Sequence, residues 1–206
     1  MAEATMTHPE QATPPSAAIP PSAAIPPSAA IPPSAASPTS AGGAPSAASA
    51  AGLADRRLII PFVNSIRQVF ATMVHQPITL ERPRLKGRDE AGFDVSTTIG
   101  FLGNLTGSMG LGFPLGTAIG TIAAFTGQRL DPDSEEFFDA ACELASMIVG
   151  AARKELGEKA LVSVPTVIIG TAHRIGRLSD VPCVVIPCVT SAGAFSLEIN
   201  VKETPA

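Results

Sequence analysis

The chain has 206 residues, 45% of them hydrophobic, and its 14 lysines and arginines against 18 acids give a net charge of −4. No run approaches the roughly 18 apolar residues of a membrane-spanning helix, and no basic block offers a nucleic-acid footprint, so neither membrane nor nucleic acid is expected as a partner. The acidic N-terminus lacks a basic stretch followed by an apolar one, which speaks against a secretory signal and for a cytoplasmic protein.

Residues 1 to about 55 hold most of the 20 prolines and almost no core-forming side chains. Pro-Pro-Ser-Ala-Ala-Ile runs through 14–19, 20–25 and 26–31, with a partial copy at 32–36. Six residues are too few for a solenoid repeat, and one isoleucine per repeat cannot build a core. The segment 1–55 reads as a disordered, polyproline-biased spacer. Residues 56–206 are left as one domain of ordinary size.

Asp55, Arg56 and Arg57 mark the edge of the folded part. Pro61 is expected to open a helix with Phe62, Ile66, Val69, Phe70 and Met73 as its apolar stripe, ending near His75. Residues 78–85 read as a strand that Pro83 demotes to an edge. Lys86 to Gly92 is a charged turn, and 95–102 and 108–113 are strands joined by a hairpin at 103–107. The glycines there fit neither a phosphate loop nor a dinucleotide fingerprint, since no Gly-Lys-Ser/Thr follows and the third dinucleotide glycine would fall at Leu115. They read as sheet glycines. A short apolar helix over 114–125 ends at Gly127.

Asp133 or Ser134 then caps a long helix to Leu156, with Glu135 and Glu136 at its positive end. Phe138, Ala141, Ala145, Ile148, Ala152 and Leu156 recur at steps of three and four and share one face. Asp139, Glu143, Ser146, Gly150 and Arg153 form a ridge on the other. Gly150 costs about 1 kcal/mol against alanine in mid-helix, so it serves either a partner's close approach or helix packing. Strands follow at 161–169 (interrupted by Pro165), at 181–189 and at 195–201.

A helix and three strands at 61–113 thus recur at 135–202. The expected fold is α/β (α+β), two pseudo-symmetric halves sharing a six-stranded, mainly antiparallel sheet with both long helices on one face. Only the second helix carries acids on its ridge; the first offers Asn64 and Arg67. Cys142, Cys183 and Cys188 read as small core residues in a reducing compartment. His75 and His173 read as surface or turn residues without companions at metal-ligand spacing. No metal, cofactor or covalent nucleophile is expected.

PFVNSIRQVFATM, VSTTIGFLGNLTGSMGLGFP, DAACELASMIVGAARKEL and VSVPTVIIG together resemble the CheX branch of the chemotaxis phosphatases, a family that includes CheC and FliY. The resemblance covers about residues 58–202. It implies removal of the aspartyl phosphate from a phosphorylated CheY-like response-regulator receiver domain, with the metal on the receiver and one site per chain, often in a homodimer. The family pattern is an acid or serine, three residues, Glu, two residues, Asn. It places Asp139 and Glu143 as partner-binding residues, Glu143 pairing with the receiver's lysine, and Gly150 as clearance. Ser146 stands where the water-orienting Asn is expected. Its hydroxyl is shorter by roughly one bond and offers one donor in place of two. Two functions therefore stay open, a hydrolase using Glu143 and Ser146, and a module that binds or scaffolds a receiver without hydrolysis.

Overall fold

The first long helix starts before its proline. In the computed structural model, which describes residues 55–87, 90, 92–157, 160–176 and 181–204, α1 spans Arg56–Thr72. Asp55 caps it, accepting from the Arg57 amide at 2.9 Å. Hydrogen bonds from the Arg57 side chain and amide hold the Asp55 carboxyl below the usual carboxylate range. This corrects the expected start at Pro61, which is buried inside the helix. A proline there removes one N–H, so the Arg57 carbonyl loses a helical partner, and at an exposed residue in the first turn water can replace it. Apart from Asp55, the expected tail over 1–55 lies outside the described residues. At the other end His75 takes a left-handed backbone (φ 56°) and the Gln76 amide returns to the Phe70 carbonyl at 3.0 Å, which stops the helix.

The remaining elements are β1 (Thr79–Leu80), β2 (Arg84–Leu85), β3 (Val95–Gly103), β4 (Leu105–Phe113), α2 (Leu115–Thr126), α3 (Glu135–Glu155), β5 (Ala160–Val162), β6 (Thr166–Ile169), β7 (Val184–Thr190) and β8 (Gly193–Glu203). They make one antiparallel sheet in the order β1-β7-β8-β4-β3-β5, with β2 also pairing β7 and β6 also pairing β3. Six positions across the sheet are as expected, but among the described residues the strands number eight because a proline cuts each edge. Between Leu80↔Cys188 and Arg84↔Val185, four steps on the edge oppose three on β7. Between Val162↔Phe101 and Thr166↔Thr98 the count is again four against three. Each edge therefore carries a one-residue bulge, at Pro83 and at Pro165, where the missing N–H does no harm. At the second bulge the Ser163 hydroxyl accepts from the Gly100 amide at 2.9 Å, replacing the lost ladder bond.

The two halves are interlocked. Each half's edge strands pair with the other half's hairpin, and β4 pairs with β8 across the middle. The backbones approach closely at Gly107 (φ 137°), where a Cβ would overlap the Asn200 carbonyl oxygen. One sheet face carries Val95, Ile99, Phe101, Met109, Leu111, Phe195, Leu197 and Ile199, all 5% exposed or less. Both long helices pack there: α1 sets Phe62 edge-on to Phe101 at 5.5 Å and stacks Phe70 on Phe195 at 5.0 Å, while Phe137, Ala141 and Leu144 of α3 line a small apolar cavity with Val95 and Leu111.

The other face is polar yet covered. Ser196, Glu198 and Asn200 are buried. Lys86 donates to Glu198 at 2.5 Å, with 7% and 8% of the two side chains exposed, and Asn200 donates to the Val181 carbonyl at 2.5 Å. His173 is held by Ser96 at 2.8 Å and by the Gly170 carbonyl at 2.9 Å, so it fastens a loop to β3 rather than standing free on the surface. Of the cysteines only Cys188 is fully buried, and burial pushes its thiol up to about 12. Cys142 and Cys183 are half-buried, which corrects the reading of all three as core residues.

The connector helix α2 ends at Gly127 (φ 76°), as expected. Ser134 caps α3, accepting from the Phe137 amide at 3.2 Å. Ser134→Ala is expected to lower stability by about 1 kcal/mol, read as a fall in thermal midpoint. An unchanged midpoint would show that packing alone sets where α3 begins.

Candidate functional site

α3 is built as an amphipathic helix with a broad apolar side. Phe137, Ala140, Ala141, Leu144, Ala145, Ile148, Val149 and Ala152 are buried. Phe137, not the expected Phe138, is the fully buried aromatic, and Phe138 is half-buried against the core. Alanines at 140, 141, 145 and 152 let the helix lie close to the sheet and to α1. Asn64 of α1 donates to Glu155 at 3.1 Å across that helix pair.

The ridge opposite is where the sequence places it. Asp139 and Glu143 are exposed, and Ser146, Gly150 and Arg153 are half-buried. Asp139, Glu143 and Ser146 line one open, shallow groove together with Cys142. The ion pairs among the described residues are Asp55–Arg57, Glu90–Arg84 and Glu198–Lys86, so neither ridge carboxylate is neutralised by a basic side chain there. Ser146 donates its hydroxyl proton back to the Cys142 carbonyl at 2.8 Å. Its oxygen is thereby left as an acceptor towards the groove, and its reach is shortened. Burial first, and the Asp139 charge second, raise the Cys142 thiol above its ordinary range, so this cysteine is a poor nucleophile.

Gly150 lies outside the groove lining. Among the described residues a Cβ there would meet nothing within 4 Å, so their packing does not require the glycine.

Three groove residues come from elsewhere: Phe125 and Thr126 at the end of α2, and Pro165 in the β5–β6 bulge. No local pattern in the sequence points to them, because tertiary folding alone brings them to α3. Cys142 was readable, three residues from Asp139 and four from Ser146 on one helix face.

The pseudo-symmetry isolates what is particular to this site. The buried positions Leu58, Pro61, Phe62, Ser65, Ile66, Val69 and Phe70 of α1 match Phe137, Ala140, Ala141, Leu144, Ala145, Ile148 and Val149 of α3 in spacing. Ile60, Asn64 and Arg67 then occupy the positions of Asp139, Glu143 and Ser146. The same scaffold presents an acid ridge once and an apolar-basic ridge once. Among the described residues no group of His, Cys, Asp or Glu could hold a metal ion, and no helix is long and apolar enough to cross a membrane.

The family model described as chemotaxis phosphatase CheX matches residues 95–189, from β3 into β7. No curated protein matches the chain. Among solved structures, a CheC-like superfamily protein from Shewanella sp. PV-4 is 27% identical with a TM-score of 0.66, over 72% of this chain and 99% of that one. A putative chemotaxis protein from Desulfovibrio vulgaris Hildenborough is 30% identical with a TM-score of 0.64, over 70% of this chain and 96% of that one. The CheX–CheY–BeF3–Mg complex from Borrelia burgdorferi shares the fold at 21% identity and a TM-score of 0.56, over 71% of this chain and 98% of that one. With near-complete coverage of these relatives, and a family match that spans the groove-bearing helix, the chain belongs to the CheX family of chemotaxis phosphatases.

Proposed function

We propose that this protein docks on a phosphorylated CheY-like receiver domain and promotes hydrolysis of its aspartyl phosphate. The observation that carries the reading is the groove on α3, where Asp139 and Glu143 stand without a basic partner among the described residues, beside Ser146. Unpaired acids on a rigid helix suit a partner that presents a lysine. The Borrelia CheX captured with CheY and BeF3 supports the choice of partner. In this reading Glu143 anchors the receiver, Asp139 adds to the negative field, and Gly150 leaves room for the partner's backbone. The chain needs no metal of its own, because the receiver brings it.

Ser146 takes the place of the water-orienting asparagine. While its hydroxyl donates a hydrogen bond to the Cys142 carbonyl, the oxygen can accept a hydrogen bond from the attacking water but does not donate to it. Phosphoryl transfer is governed by positioning and charge, so a short, acceptor-only group gives slow hydrolysis. The same hydrogen bond favours a second reading, in which docking survives and hydrolysis does not, and the protein serves as a receiver-binding scaffold. A homodimer is part of the proposal in either case, checked by sedimentation.

Phosphate loss from a phosphorylated CheY-type receiver, followed with and without stoichiometric protein, separates the readings. Faster loss makes this protein an enzyme. Binding with unchanged or slower loss makes it a scaffold, and no binding refutes both.

A further inference from the structure

Resting on the receiver reading, we infer that the docking surface extends beyond the acids onto an apolar seat formed by Phe125 of α2 and by Val164 and Pro165 of the β5–β6 bulge, and that this seat takes apolar side chains beside the receiver's lysine. The acids alone make a poor anchor. An exposed ion pair in water contributes little, because solvent and salt screen it and two long side chains must be ordered. Such a pair strengthens when neighbouring apolar groups exclude water, and aromatic anchors ringed by polar contacts carry most of the binding in protein interfaces.

The groove supplies those neighbours. Phe125 packs partly on the core and also lines the groove with Asp139, Glu143 and Ser146. Pro165 lines the same groove, and Val164, immediately before it, is 84% exposed. Val164 is not itself part of the groove lining; it joins the seat as the exposed chain neighbour of Pro165, next to Ser163, which makes the hydrogen bonds to Gly100. The occupant follows from charge: two acids without a basic partner among the described residues, bordered by apolar side chains, fit a surface with a cation set among apolar residues. The α1 ridge is the internal contrast. Ile60, Asn64 and Arg67 stand on the same helical framework, and among the described residues no helix precedes α1 to supply a counterpart of Phe125.

The test is the affinity of the full chain for a CheY-type receiver carrying beryllofluoride and Mg2+. Phe125→Ala and Val164→Asp are each expected to weaken binding at least tenfold, and Phe125→Leu to restore most of it. Ile60→Asp, at the corresponding position on α1, is expected to bind like the unaltered protein. Because Val164 lies on the surface, its variant keeps the thermal midpoint and removes misfolding as an explanation. Full affinity in Val164→Asp, or an equal loss in Ile60→Asp, overturns the apolar seat while the receiver reading stands. No binding by the unaltered protein overturns both.

Discussion

Glu143→Lys is expected to weaken receiver binding about 100-fold or more, equivalent to about 2.7 kcal/mol, and to abolish any acceleration of phosphate loss. In the proposed complex the substitution would place a cation against the receiver's lysine, turning an attraction into a repulsion. The fold gives no reason for collateral damage, because residue 143 is exposed and makes no ion pair among the described residues. Lysine is also a good helix former. The thermal midpoint should therefore hold while binding, followed by titration calorimetry, disappears. If Glu143→Lys binds as tightly as the unaltered protein, the receiver docks elsewhere, and the α1 ridge becomes the next place to test.

Ser146→Asn is expected to raise the rate of phosphate loss by on the order of 10²-fold at saturating receiver, with little change in affinity. The exchange removes the bond from the side chain to the Cys142 carbonyl and sends a longer group with both a donor and an acceptor into the groove. Residue 146 is half-buried at a groove that is open to solvent, so the larger side chain has room. Single-turnover rates on a phosphorylated receiver would show the gain in kcat rather than in KM. An unchanged rate with intact binding would mean that the partner sits differently in this groove, out of line with residue 146.

Local signals in the sequence were strong where structure is decided locally. Gly127 and Ser134 bound their helices as read, and the strand that Pro83 marks as an edge lies at the sheet margin. The Asp139–Glu143–Ser146 ridge was legible because helical periodicity alone puts those side chains in line. What escaped was set by distance in sequence. Residues 86–92 looked like a turn in water, but Lys86 closes over Glu198 of β8, and no short-range pattern records that partner. Phe125 and Pro165 reach the groove only after α2 has docked and the β5–β6 edge has joined β3. The α1 start was misread because a proline inside a helix is costly in general and tolerable one turn after a capped end.

The exchange of edge strands between the halves bears on how the chain acquires its shape during synthesis. β1 and β2 are made early but have no hydrogen-bonding partner until β7 exists: Thr79 waits for Val189, and Arg84 for Val185. The central pairing of β4 with β8 waits in the same way, Leu105 for Glu203 and Met109 for Ile199. An N-terminal fragment ending after α2 would therefore hold a hairpin with two open margins, a template for pairing with other chains. Contacts this distant in sequence close slowly, because loop entropy is lost before packing compensates for it. Closing the sheet is thus expected to wait until β8 is made, which leaves the β3–β4 hairpin's open margins as the exposed surface of the nascent first half.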